Sequence, residues 1–157
     1  MGGTGFWSFV GQAIVVGLGW FVVHRLSVKR DMDKARRELV ADSADALVES
    51  LNSLLADALK YHRAERDQAN ELHLKMALQD LAVRAAGLSD ICRDERLLTP
   101  CRTEIAGARK AITGKHFEDE HDGPLSEADP HLQTVAEAVL RAKRSLLKIR
   151  YAQFPPS

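Results

Sequence analysis

Between Trp20 and Ala86 the chain contains neither glycine nor proline. Those two residues punctuate most turns and helix ends, so their absence over such a length constrains this part of the chain to long helices. Apolar spacing agrees. Val40, Ala44, Leu47, Leu51, Leu54, Ala58 and Tyr61 recur at alternating intervals of four and three, while Asp42, Asp45, Glu49 and Asn52 fall off that stripe. This is the pattern of a helix with one face to bury. The charged stretch His62–Asn70 lacks large apolar residues and is the expected turn.

The same spacing continues in Leu74, Leu78, Leu81, Ala85, Leu88 and Cys92, a second helix ending near Arg93 to Arg96. Thr99-Pro100 reads as an N-cap followed by proline at the first helical position, opening a third helix through Ile105, Ala108 and Ile112 to Gly114. Asp129-Pro130 repeats that signature. Leu132, Val135, Val139, Ala142, Leu146 and Ile149 then form the stripe of a fourth helix. The fold class expected is all-α, an antiparallel bundle of about four helices in which the last helix runs back toward the start of the first.

Gly5–Val23 is different in kind: it contains no charged side chain, and its clearly polar members are Ser8 and Gln12. At 1.5 Å per residue the run reaches about 28 Å, close to the thickness of a bilayer's hydrocarbon core. A cleaved signal would carry Lys or Arg ahead of the apolar run, and none is present there. The expectation is a transmembrane helix over residues 5–23, with residues 1–4 outside. Residues 24–38 follow as a basic juxtamembrane segment, residues 39–154 as the bundle and residues 155–157 as a tail.

Arg25, Lys29, Arg30, Lys34, Arg36 and Arg37 follow the run directly, which places the soluble part in the cytoplasm at the inner membrane and the cations against lipid headgroups. Gly5, Ser8, Gln12 and Gly19 lie along one stripe of the span. Small residues let backbones approach, and a glutamine in hydrocarbon is best satisfied by a carboxamide partner, so a homo-oligomer interface is expected there.

Lysine plus arginine equals aspartate plus glutamate, at 22 each. That balance argues against binding a nucleic acid duplex. The fourth helix is locally basic, with Arg141, Lys143, Arg144, Lys148 and Arg150. These cations offset the helix dipole and also mark a place for lipid or an anionic small ligand.

His116, Glu118, Glu120, His121 and Asp122 crowd into GKHFEDEHDG. Read as a calcium loop with Gly123 at the sixth position, the segment has a non-standard first ligand and lacks the final bidentate Glu. The two histidines do not take the register of HExxH. A solvated acidic loop is expected, with no metal and no cofactor. Cys92 and Cys101 have no identifiable general base and are expected to be reduced, small buried hydrophobes. His62 and His73 are expected on solvated faces or in turns.

Two segments, WFVVHRLSVKRDMDKARREL (Trp20–Leu39) and AITGKHFEDE (Ala111–Glu120), resemble those of small bacterial single-span membrane proteins with a helical cytoplasmic domain. The resemblance implies an anchor and a bundle but no catalytic residue. Membrane-anchored helical effectors of phage defence share the layout by analogy. The functional expectation is a non-enzymatic scaffold or interaction module with a possible protein partner. The alternative is a ligand-gated effector that senses an anionic nucleotide or lipid and perturbs the bilayer.

Overall fold

The computed structural model describes the backbone of residues 4–118 and 121–154, and the side chains of residues 24–118 and 121–154. The fold is all-α, with four helices among the described residues: α1 Thr4–His62, α2 Gln68–Ile91, α3 Glu95–Ile112 and α4 Pro130–Gln153. No strand occurs among the described residues. The chain divides into two compact units, Met1–Arg37 and Glu38–Ser157.

In the first unit, residues 24–37 are exposed except for the half-buried Arg36. Among the described residues no helix is long and apolar enough to cross a membrane. The run Gly5–Val23, with Gly5, Ser8, Gln12 and Gly19, lies outside the residues whose side chains are described.

In the second unit, all seven stripe residues of α1, from Val40 to Tyr61, are buried, as are all six of α4. On α2, Leu74, Leu78, Leu81, Leu88 and Cys92 are buried, while Ala85 is half-buried. Cross-helix pairs give the direction of each neighbour. Lys143 Nζ donates to Asn52 Oδ1 at 2.6 Å and Arg150 Nε to Asp45 Oδ2 at 2.8 Å, so α4 runs antiparallel to α1. His73 against Asp57 and Tyr61 against Glu71 show the same for α2 and α1. Arg102 against Ser89 and Lys75 against Glu118 place α3 and the residues after it antiparallel to α2. The C-termini of α1 and α3 and the N-termini of α2 and α4 therefore share one end of the bundle.

Each of α2, α3 and α4 opens on an aspartate. Asp67 accepts from Ala69 N–H, Asp94 from Arg96 N–H and Asp129 from His131 N–H, satisfying amides that a helix start leaves unpaired. The start of α3 differs from the expected Thr99-Pro100 cap: the helix begins one turn earlier, at Glu95. Packing decides between the two cap signals, because the earlier start brings Leu98 onto the buried stripe of Cys101, Ile105, Ala108 and Ile112. Pro100 then lies inside the helix, where it forfeits one backbone hydrogen bond.

Candidate functional site

The shared end of the bundle gathers the buried polar groups found among the described residues. Tyr61 and His62 close α1, and both are inside, at 2% and 0% exposure. The Tyr61 hydroxyl donates to Glu71 Oε1 at 3.0 Å and accepts from the Glu118 N–H at 3.2 Å. Glu71, only 6% exposed, also accepts from Arg66 Nε at 2.7 Å. The carboxylate is held below its ordinary range by the Arg66 hydrogen bond, against the opposing effect of burial. Burial pushes the Tyr61 hydroxyl up to about 12, so it stays protonated and serves as a fixed donor. Lys75 pairs with Glu118 at the rim, which raises its pKa.

Replacing Tyr61 with Phe removes both hydroxyl bonds and leaves the Glu118 amide without its partner. A loss of about 1–2 kcal/mol is expected, read as a lower urea midpoint with an unchanged far-ultraviolet spectrum.

Around Tyr61 stand four of the six histidines of the chain. The His62 and His131 rings meet edge to face with centroids 4.8 Å apart, and His131 meets His116 at 5.4 Å. His121 lies edge-on to Tyr61 at 5.1 Å. His62 Nε2 lies 3.2 Å from the Ile112 carbonyl, an acceptor only, so that nitrogen carries the proton. His121 Nδ1 accepts from the Gly123 N–H at 3.2 Å, which puts its proton on Nε2. The other nitrogens of these two rings, with His116 Nδ1 and His131 Nε2, are buried and make no hydrogen bond.

Burial, with the adjacent His131 as a second cause, pushes His62 down to about 4, and burial lowers His131 as well. The two rings are neutral at pH 7. His62 thus departs from the solvated position expected of it. Its neighbours explain why: the carbonyl of His62 accepts from Leu125 N–H at 2.8 Å, and Phe117 is buried beside Tyr61. The described residues of the Gly114–Asp129 segment are therefore not simply a solvated acidic loop but a cover over the end of α1. His116 and Glu118 take positive φ angles, 66° and 55°, within it, an unusual backbone state for residues other than glycine.

Among the described residues no group of three or more His, Cys, Asp or Glu side chains is arranged to hold a metal ion. Of the residues considered from the sequence, Glu118 is committed to Lys75, His121 receives the Gly123 amide, Asp122 is exposed, and Glu120 lies outside the described residues. His73 sits on an exposed face 3.2 Å from Asp57. Cys92 and Cys101 are free and buried, and burial pushes the Cys101 thiol up to about 11, so it is not a thiolate at neutral pH.

The basic residues fall into two groups. Arg25, Lys29, Arg30, Lys34 and Arg37 are exposed on α1, with Arg36 half-buried. On α4, Arg141 pairs with Glu104 and Glu137, Lys143 bonds Asn52 and Arg150 pairs with Asp45, while Arg144 and Lys148 are exposed. Three of the five α4 cations thus link helices. The histidine cluster escaped the sequence reading because its members come from α1, α4 and the intervening loop. The available signal was His131 directly after the Asp129-Pro130 cap, which an antiparallel α4 brings to the end of α1.

Comparison of the chain with protein-family models, curated proteins and solved structures gives no match.

Proposed function

We propose that the chain is a non-enzymatic, membrane-anchored module: Gly5–Val23 crosses the inner membrane, spans of several copies associate, and the cytoplasmic bundle serves as a scaffold or interaction surface. The observation that carries this reading is the layout of α1. One helix, Thr4–His62, holds an uncharged run of bilayer length, then an exposed segment with six cations, then the stripe that enters the bundle core. The exposed segment also presents Leu26, Val28 and Met32. Helical structure without tertiary packing is marginal in water, and a second copy or the headgroup layer supplies that packing.

Membrane fractionation tests the anchor. The full chain is expected in the membrane pellet after alkaline carbonate washing, and a variant lacking residues 5–23 in the supernatant with its helical spectrum retained. Release of the full chain by carbonate would sink the reading. The effector alternative would place its anionic ligand at Arg144 and Lys148. It differs in requiring growth arrest on expression, abolished when those two residues are neutralised.

A further inference from the structure

α3 packs closely on α4 but touches α2 only sparingly. Between them Ala82, Ala85 and Ala86 of α2 and Ala106 of α3 line a gap that their small side chains do not fill. The gap is a groove of about 300 Å³ above Leu78, Leu81 and Ile105. A second hollow of about 530 Å³ lies beside it, bordered by Lys75, Gln79, Thr113 and Glu118. Leu78, Ala82 and Arg109 line both, so the two lie side by side. Together they run along α2 from Lys75 to Ser89, about 21 Å.

The two halves differ in chemistry. Toward Ser89 the walls are nearly all apolar, and toward Lys75 they are polar. Arg109 stands at the junction, exposed and with no ion pair among the described residues. Small-ligand sites have this size and this make-up, apolar walls with a few fixed polar groups.

We infer that the groove binds a long-chain fatty acid, with its acyl chain over Leu78, Leu81 and Ile105 and its carboxylate on Arg109. The chain buries apolar walls without stranding a polar group, and the carboxylate completes the guanidinium with a charge-assisted bond. The inference goes beyond the anchor reading and does not depend on it.

The test uses the full chain in phosphatidylcholine nanodiscs with a diazirine-bearing palmitate, the cross-linked residues being mapped by mass spectrometry. Labelling is expected on residues 78–89 and 102–109, competed by unlabelled palmitate. Arg109→Gln is expected to weaken palmitate about tenfold while hexadecanol binding is unchanged. Ala85→Trp, which fills the groove, is expected to remove labelling without loss of helical signal. Should Ala85→Trp fail to fold, Ala106→Leu with Ala82→Leu gives the same reading through a smaller change. Labelling spread over other faces, insensitivity to a folded groove-filling variant, equal losses for palmitate and hexadecanol in Arg109→Gln, or shielding of the groove by a second copy would each overturn the proposal.

Discussion

Lowering the pH from about 7 to about 4 is expected to remove about 3 kcal/mol of bundle stability through His62 alone. Unfolded, the imidazole takes up a proton near 6.5, whereas in the folded protein it does so at about 4. Between those values the unfolded chain binds more protons, so stability falls as the pH falls and levels off below about 4. The contribution is fully present above 6.5. His131, lowered by its burial and by His116, acts in the same direction. Glu71 adds to the loss at lower pH, because its carboxylate is held down by Arg66 and its stabilisation goes as it protonates. Urea midpoints followed by circular dichroism across this range give the slope. In His62→Gln, where the amide can still donate to the Ile112 carbonyl, the slope is expected to shrink. An unchanged slope would remove His62 from the account. Acid stability therefore reports on how tightly the 114–129 segment covers the end of α1.

Leu51→Ala is expected to cost about 2–5 kcal/mol. Leu51 has no exposed surface and lies in the middle of the α1 stripe, inside the core built with α2, α3 and α4. Truncation leaves a hole that neighbouring helices close only in part, so the cost exceeds the transfer energy of the lost methyl groups. Denaturant unfolding measures it. The exposed Leu39, on the same helix, is the control, and Leu39→Ala is expected to change the midpoint little. Equal effects at the two positions would mean that another surface covers Leu39 under the conditions of the measurement.

These contrasts show which features were legible in the residues and which were not. The stripes of α1 and α4 were legible because apolar residues recur at the helical period and their polar neighbours do not interrupt them. The start of α3 was not, because Asp94 and Thr99 both carry cap chemistry and the choice is made by a tertiary contact at Leu98. Composition misdescribed the 114–129 segment. Its acids and histidines signal solvent, yet one aromatic, Phe117, anchors it, and the Tyr61 hydroxyl and His62 carbonyl take up its amides. The α4 cations likewise depend on register: only with α4 laid antiparallel to α1 does Arg150 meet Asp45 and Lys143 meet Asn52. The Tyr61, Glu71 and histidine cluster needed all three pieces together.

The proposed anchor and its self-association are tested most directly by disulfide cross-linking in isolated membranes. Single cysteines placed in turn from Gly5 to Val23, in a background with Cys92 and Cys101 replaced by alanine, report which side of the helix meets another copy. The account predicts membrane-bound chains whose dimer yield peaks at Gly5, Ser8, Gln12 and Gly19 and falls on the opposite face. A chain found outside the membrane fraction, or a yield without helical period, would contradict it.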